Sequence, residues 1–498
     1  MNNPPAPGAW YPPLDEAVRS RLDAVERDNV VARIWARDHT VWSSDPTEIA
    51  DRLGWLTAPT DIQAEVPRLL AFAEQAWSDG YTTAVLLGMG GSSLAPEVMQ
   101  TLMGSAPGAV ELVVLDTTSP RQILDLGRRL DMERTLFIVS SKSGSTIETL
   151  SQFEYFWAKR PLGKQFIAIT DAGSTLHRLA QERAFREVFL NPADVGGRYS
   201  GLTLFGLVPA ALLGVDIGAE LERAESQSRE PRAALLQGVR MGEAALAGFD
   251  KFTLRLPPRE RPFGWWAEQM LAESTGKDGR GLLPVEGEPV ASARCYARDR
   301  LFVGPGDTGD HPVIEWSGWR GFATFWEWAF ATAIAGYVLG INPFDQGSVQ
   351  EAKDATDRIL AGATADAATT ALADTLATVA EGDYIALLAY LPRTHANDTR
   401  MARVRSRLLE RYSVATTAGF GPRYLHSTGQ YHKDGPNTGV FIQIVEPHSE
   451  DMAIPGAPFT FGELHDAQAL GDLESLRSRQ RRISRVSFDK LEAFVATL

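Results

Sequence analysis

The chain has 498 residues, of which 44% are hydrophobic, and a formal net charge of -14 at pH 7. This length and composition suffice for several buried cores, whereas the acidic balance argues against nucleic-acid binding, which needs a clustered basic surface. With a single cysteine, Cys295, the chain can form neither an internal disulfide nor a cysteine-cluster metal site.

The first residues predict no secretion or membrane insertion. Residues 1–13 are rich in proline and predict an extended lead-in, without the basic flank and apolar run of a signal peptide. The longest apolar stretch, 322–341, contains Glu327 and predicts a buried core helix rather than a membrane span. We therefore expect a cytoplasmic protein.

Between residues 14 and 79 the apolar spacing is helical and predicts a helical N-terminal layer.

Short β-branched runs then alternate with helical segments. Strands are predicted at 83–88, 111–115, 135–140, 165–170 and 187–191, and helices near 92–103, 119–130, 146–159 and 174–184. This alternation predicts βαβ units that form a parallel sheet flanked by helices.

A second α/β unit is predicted to begin near Lys251, and a third region follows residue 380. The second has strands at 251–256, 281–285, 298–303 and 312–316, a long helix at 320–340, and a surface helix at 354–380. The third has strands at 384–390 and 439–445 with an amphipathic helix at 400–412 between them. The basic run from Arg477 to Arg485 predicts the solvated face of a C-terminal helix.

Two loops after predicted strands have the composition of phosphate sites. The strand at 135–140 is followed by hydroxyl side chains and a helix start, where free backbone N–H groups favour a dianionic phosphate. Hydroxyl clusters are also typical of caps and turns. The second loop, 88–94, follows a neighbouring strand; its glycines allow close backbone approach, and Ser92 is predicted to cap the next helix. Two such loops together favour a ligand site at this edge of the sheet.

Five segments in order resemble the phosphoglucose isomerase family over roughly residues 15–360. They are GMGGS at 88–92, SKSGSTIET at 141–149, GGRYS at 196–200, ESTGK at 273–277 and NPFDQ at 342–346 with Lys353 after it. The form is most similar to the isomerase portion that some bacteria fuse to transaldolase. The resemblance implies an α/β fold with two sugar-isomerase (SIS) domains, whose parallel sheets are flanked by helices. We predict a lead-in at 1–13, a helical layer and first SIS domain at 14–235, a second SIS domain at 236–380, and a C-terminal α+β extension at 381–498.

The resemblance implies reversible isomerisation of glucose 6-phosphate and fructose 6-phosphate, with one proton moved between C1 and C2 through an enediolate. Glu273 matches the base, with Glu288 as the alternative. Arg198 matches an arginine that stabilises the enediolate and cannot lose its proton. Lys353 matches a lysine that opens the sugar ring or contacts the phosphate, and these two roles stay open. Such acid–base chemistry needs no cofactor, and the histidine spacing contains no metal motif.

The histidine for ring opening departs from the family pattern. In short bacterial relatives it follows the catalytic glutamate closely, where this chain has Arg294 and Cys295. A similar string, LHSTGQY, lies at 425–431. We hypothesise that His426 has taken over the role, with His432 and His311 as weaker candidates. The alternative is a loop histidine with structural hydrogen bonds alone.

The resemblance also implies a binding set and leaves two alternatives open. The substrate and phosphate residues are Gly91, Ser92, Ser141, Lys142, Ser143, Thr146, Glu148 and Gly197. A sugar-phosphate sensor without turnover is one alternative, because a fold alone does not determine function. A dual phosphoglucose and phosphomannose isomerase is the second. Apart from these function alternatives, the resemblance implies a possible homodimer, which Trp265, Trp266, Trp316 or Trp319 could anchor, although these residues are at least as typical of a core.

Overall fold

The computed structural model describes residues 10–306, 308–347 and 349–498. Most of the predicted lead-in, residues 1–9, lies outside the described residues. The helical N-terminal layer contains α1 (Asp15–Arg27), α2 (Val30–Trp35), α3 (Ala58–Asp61) and α4 (Val66–Ser78). Short 3-10 helices connect the larger elements here and later; they are Pro12–Leu14, His39–Val41, Gly54–Leu56, Ile62–Glu65, Gly163–Gln165 and Ala293–Cys295.

The first sheet is wholly parallel and has the strand order β2-β1-β3-β4-β5. Its strands are β1 (Thr83–Gly88), β2 (Glu111–Leu115), β3 (Thr135–Ser140), β4 (Phe166–Thr170) and β5 (Glu187–Leu190). The alternating helices are α5 (Leu94–Met103), α6 (Pro120–Arg129), α7 (Ile147–Lys159) and α8 (Thr175–Glu182). This is the predicted alternation, with boundaries shifted by two residues or fewer.

The second sheet is also parallel, with the order β7-β6-β8-β9. The helices α9 (Leu204–Leu212), α10 (Ile217–Arg229) and α11 (Arg232–Leu246) precede it. Its elements are β6 (Lys251–Leu254), α12 (Phe263–Thr275), β7 (Leu283–Val285), β8 (Arg300–Val303), β9 (Val313–Ile314) and α13 (Phe322–Leu339). As predicted, α13 is a core helix, buried along its length apart from Tyr337. Among the described helices, none is both long and apolar enough to cross a membrane.

A third parallel sheet, in the order β11-β10-β12-β13, forms the C-terminal region. Its strands are β10 (Tyr384–Tyr390), β11 (Ala415–Phe420), β12 (Gly439–Val445) and β13 (Arg482–Val486). The helices of this region and of the segment before it are α14 (Val349–Leu360), α15 (Leu372–Leu376), α16 (His395–Tyr412), α17 (Gly429–Asp434), α18 (Phe461–Ser478) and α19 (Phe488–Val495).

The central strands of these parallel sheets are apolar on both faces. In β1, Ala84 and Leu86 face one core while Val85 and Leu87 face another. In β10, successive residues likewise alternate between two cores. A strand buried on both sides is a continuous apolar run in the sequence, which is typical of parallel sheets covered by helices.

The C-terminal region differs from the prediction in three respects. It is a parallel α/β unit rather than α+β, because α16 and α18 provide crossovers between parallel strands. The predicted surface helix at 354–380 is two helices, α14 and α15, joined by an irregular segment. The basic run is not one helical face, because Arg477 ends α18 whereas Arg485 lies in β13. The division into domains at residues 235 and 380 stays a prediction.

Candidate active site

Three loops at the carboxyl edge of the first sheet lie against one another. The 3-10 helix Gly90–Ser92 follows β1, and the 3-10 helix Gly197–Leu202 follows β5. A Cβ atom on Gly91 would lie 2.1 Å from the carbonyl oxygen of Gly197, so the two backbones are in direct contact. Ser140 Oγ, at the end of β3, donates to the Ser92 carbonyl over 3.1 Å. The sequence-predicted loops are therefore neighbours.

The loop after β3 is organised by its own hydroxyl groups. Ser141 Oγ accepts from Gly144 N over 3.1 Å and lies 2.8 Å from Thr146 Oγ1. Ser143 is exposed, and its hydroxyl accepts from Ser145. These bonds hold residues 145–147 at the N-terminus of α7, where backbone N–H groups and the helix dipole favour an anion.

One predicted detail of these loops is wrong, and another stays a prediction. Lys142 Nζ lies 2.5 Å from Asp171 Oδ2 and donates to the Ala193 carbonyl, and its role in substrate binding stays a prediction. The residue at the N-cap of α5 is Ser93, not Ser92, because Ser92 belongs to the 3-10 helix that precedes it. Local composition does not distinguish two adjacent serines or show where a lysine side chain points.

One cavity brings together four predicted residues from distant parts of the chain. Its lining includes Thr146 and Glu148 of the first sheet's unit, Lys353 of α14, and His426 from the 3-10 helix Arg423–His426 after β11. His426 Nε2 lies 3.0 Å from Glu148 Oε1. The third sheet thus carries a histidine to the anion-favouring end of α7, while its role in ring opening stays a hypothesis.

Glu148 forms hydrogen bonds with two other residues that line this cavity. It is buried, and it accepts hydrogen bonds from His426 and, over 2.8 Å, from Gln468 Nε2 on α18. Burial by itself would raise the pKa of Glu148, but the charge and hydrogen bond of His426, and then the charge of Lys353, hold it below its usual value. Glu148 is therefore a carboxylate that orients His426.

A second group of polar residues surrounds Arg198. This side chain is 1% exposed, and its guanidinium donates to Ser274 Oγ and to the carbonyl oxygens of Pro343 and Asp345 over 2.6 to 2.9 Å. Arg198 Nη1 lies 3.7 Å from Glu273 Oε2. Burial raises the pKa of Glu273, and the positive charge of Arg198 opposes that rise.

The Arg198 group and the cavity meet at Gly90. Gln269 Nε2 donates to Glu273 over 3.2 Å. A Cβ on Gly90 would lie 2.9 Å from that same nitrogen and 3.0 Å from the Cβ of His426, and the φ angle of +53° also favours glycine. Neither Glu273 nor Arg198 is among the residues that line the cavity. The Arg198 group therefore lies next to the cavity but does not line it.

The weaker candidates have structural surroundings. Glu288 pairs with buried Arg300 at 3.0 Å and accepts from Thr416 N. His432 is buried, lies 3.0 Å from Tyr384 Oη, and has a pKa lowered by burial to about 3. Both nitrogens of His311 face backbone carbonyl oxygens. None of these three arrangements leaves a group directed at the cavity.

Sequence reasoning missed several residues beside these groups. Lys277 is buried, donates to the Asn342 carbonyl over 2.7 Å, and has a pKa lowered to about 8 by burial and then by Arg198. Lys433 and Gln468 line the cavity. Lys277 lies in the quoted ESTGK segment and could have been chosen, but the other two carry no signal in the sequence.

The predicted tryptophan anchors belong to the core of the chain. Trp266 is 2% exposed and packs edge-on against Phe325, with ring centroids 4.7 Å apart. Trp265, Trp316 and Trp319 are partly buried against the same cluster. These contacts favour the core interpretation over a dimer interface.

Comparisons with known proteins agree with the resemblance seen in the sequence. Residues 73–227 match the family model described as phosphoglucose isomerase. The chain is 30% identical to a glucose-6-phosphate isomerase from Staphylococcus saprophyticus, over 47% of this chain and 58% of that protein. It is 34% identical to one from Thermus thermophilus, over 40% of this chain and 48% of that protein. The chain thus spans about half the length of these relatives.

A solved structure, that of a hypothetical protein from Thermus thermophilus, shares the fold. Its TM-score is 0.60 at 23% identity, and the match covers 70% of this chain and 98% of that one. This likeness shows the α/β fold, with parallel sheets flanked by helices. The matched family model and relatives confirm the resemblance to phosphoglucose isomerase.

Proposed function

We propose that this chain, whose residues 73–227 match the phosphoglucose isomerase family, interconverts glucose 6-phosphate and fructose 6-phosphate. The observation that carries the proposal is Glu273, a partly exposed carboxylate (12% of the side chain) 3.7 Å from buried Arg198. Beside this pair lies a cavity with a carboxylate-bound histidine, His426, and the N-terminus of α7. Base, cation, histidine and phosphate site are the four parts that this isomerisation needs.

In this proposal Glu273 transfers the proton. Its carboxylate takes the proton from C2 of the aldose and returns it to C1, and the reverse direction uses the same two steps. A base works best when its pKa lies near the working pH, and burial raises the pKa of Glu273 in that direction. The guanidinium of Arg198 stabilises the negative charge of the enediolate and keeps its own proton.

The cavity binds the phosphate and opens the ring. The phosphate lies at the N-terminus of α7, beside Thr146 and within the reach of Lys353. His426, held by Glu148, exchanges the proton of the ring oxygen. Gly90 and Gln269 lie where the cavity approaches Glu273, so we expect C1 and C2 of the bound sugar to extend past these two residues to the Glu273 carboxylate.

The proposal also covers the oligomeric state of the chain and its location in the cell. A homodimer is implied by the resemblance, and sedimentation equilibrium of the purified protein tests it. A cytoplasmic location is consistent with the one cysteine, Cys295, which is a free thiol. Fractionation of the producing cells tests the location.

The main test is a coupled assay in which fructose 6-phosphate is converted and the glucose 6-phosphate formed is oxidised by an added dehydrogenase. We expect turnover by the unaltered chain and a loss of roughly 10²–10⁴-fold in Glu273→Gln. That variant should still bind fructose 6-phosphate in calorimetry. Glu268→Gln, on the same helix, is the matched control and should retain activity. Binding without turnover in the unaltered chain would favour the sensor instead.

A further inference from the structure

Three possible metal-binding side chains meet at the carboxyl edge of the third sheet, away from the cavity. His448 follows β12, while His465 and Asp466 lie on the first turns of α18. One donor atom from each lies within 4.8 Å of the other two. His448 Nε2 is 3.1 Å from Asp466 Oδ1, and the two imidazole ring centroids are 5.3 Å apart. Ligands of doubly wound sheets bind at this edge.

His465 has a ring nitrogen without a partner. The side chain is 1% exposed, and its Nε2 lies 3.3 Å from the carbonyl oxygen of Gly421. Since a carbonyl only accepts, Nε2 carries the hydrogen and Nδ1 has a lone pair. Nδ1 is buried and has no hydrogen-bond partner within the described part of the chain. A buried polar atom of this kind calls for an explanation, and an ion not included in the structure is one.

The surroundings of His465 are those of a metal ligand. A ligating histidine usually donates its other ring N–H to a carbonyl or carboxylate, which fixes the tautomer and the ring orientation. The Gly421 carbonyl provides that contact here.

We propose that His448, His465 and Asp466 bind one divalent transition-metal ion. Two imidazoles and one carboxylate suit Zn²⁺ best, and the exposure of Asp466 leaves a fourth position for water. The donor atoms are up to 4.8 Å apart, so binding of the ion draws the three side chains closer together. The sequence contains no metal motif here because His448 and His465 are 17 positions apart and meet through the fold alone.

The site would stabilise the C-terminal region rather than take part in chemistry. Gln468, which binds Glu148, lies two residues after Asp466 on α18. The Gly421 carbonyl that His465 contacts immediately precedes the segment that carries His426. An ion here would therefore hold α18, the 446–460 loop and the 421–426 segment in one arrangement. This inference does not depend on the proposed isomerase activity.

The test is metal binding by the full chain, purified without a histidine tag and stripped with a chelator. We expect calorimetry to give one equivalent of bound Zn²⁺, and bound Co²⁺ to show the visible absorption of a four-coordinate N,O site. His448→Ala and Asp466→Asn should each weaken binding by at least about tenfold, since even outer-shell changes cost 10–100-fold. Zn²⁺ should raise the melting temperature of the unaltered chain and of the control His395→Ala, but not of these two variants.

Two results would overturn the site. One is the absence of stoichiometric Zn²⁺ binding by the unaltered chain, which would leave His448 and Asp466 as a simple ion pair. The other is binding that survives both variants unchanged. Asp466 is exposed, so Asp466→Asn is expected to fold even if His448→Ala does not. No substrate enters the measurement, so its failure and that of the isomerase proposal are distinguishable.

Discussion

The Arg198 group and the His426 group differ in how far they are closed to solvent. Arg198 is 1% exposed, and backbone carbonyls and Ser274 satisfy its guanidinium. The His426 side chain is 18% exposed and lines a cavity together with the exposed Lys353. Arg198 is an internal part of the fold, whereas the His426 group is open to a ligand.

This difference in solvent exposure corresponds to two different roles of charged groups in the site. A buried cation with a complete set of acceptors does not move, so it provides a constant field at Glu273. A half-buried histidine bonded to a carboxylate can exchange protons with a ligand. Changes in the Arg198 group should therefore alter both folding and turnover strongly, whereas changes in the His426 group should alter turnover more than folding.

The largest effect is expected for Arg198→Met. This change leaves the partly buried Glu273 without its cation and leaves the Pro343 carbonyl without the donor that Arg198 provides. We expect the free energy of unfolding to fall by about 3–5 kcal/mol and kcat by roughly 10²–10³-fold, as measured by urea denaturation and the coupled assay.

Arg121→Met is the matched control, since it removes an exposed pair with Asp125 and should cost less than about 1 kcal/mol. If both variants lost equally little stability, the Arg198 group would not be an internal part of the fold.

The next effect is expected for His426→Ala. With cyclic fructose 6-phosphate as substrate, kcat/KM should fall by roughly 10²–10³-fold because ring opening loses its acid–base group. The free energy of unfolding should fall by about 1–3 kcal/mol, less than in Arg198→Met, because buried Glu148 loses one hydrogen-bond partner and keeps Gln468. His177→Ala is the control. Unchanged turnover of the cyclic sugar would show that ring opening does not use His426.

The fold was predictable wherever local patterns decide it. Strand β3 is a run of apolar residues, 135–140, that no local signal contradicts, and the structure has it at the predicted bounds. The prediction that the basic run at 477–485 forms one helical face was wrong, because a run of charged residues does not indicate which secondary structure it adopts. There, Arg482 pairs with Asp383 across the third sheet, a partner about a hundred positions away.

The candidate site was predictable for single residues and less so for their partners. Motif segments indicated Glu148 and the C-terminal string indicated His426, but their 3.0 Å contact joins residues 278 positions apart. Gln468 belongs to no motif in the sequence, and the packing of α18 places it beside Glu148. The direction of Lys142 toward Asp171 depends in the same way on a neighbour that the spacing does not specify.

A smaller effect is expected for Gly91→Ala, which tests the contact between the first-sheet loops. The added Cβ would lie 2.1 Å from the Gly197 carbonyl oxygen, so one backbone must shift. We expect a loss of about 1–3 kcal/mol in the free energy of unfolding, together with reduced turnover. Gly196→Ala is the matched control, because its Cβ meets Arg52 Cδ at 3.7 Å and its φ of -68° suits alanine. Equal stability of the two variants would contradict the contact.

The smallest effect is expected for Glu268→Gln, which changes a side chain in contact with the segment that carries His426. Ser427, next to His426, donates to Glu268 over 3.2 Å. Burial, and then the charge of Glu286, raise the pKa of Glu268 from 4.5 to about 8. The folded chain therefore holds this proton more tightly than the unfolded chain. The resulting stabilisation is fully present below pH 4.5 and is lost as the pH rises through about 8.

Glutamine resembles the protonated acid and can still accept from Ser427, so the variant should match the unaltered chain at about pH 5. At about pH 9 it should be more stable by about 1–3 kcal/mol, as measured by thermal unfolding at both values. Glu182→Gln, on an exposed face of α8, should show no such difference between the two pH values. Parallel pH curves for Glu268→Gln and the unaltered chain would mean that Glu268 is ionised in the folded state. The segment that carries His426 would then lie against a negative charge rather than a neutral acid.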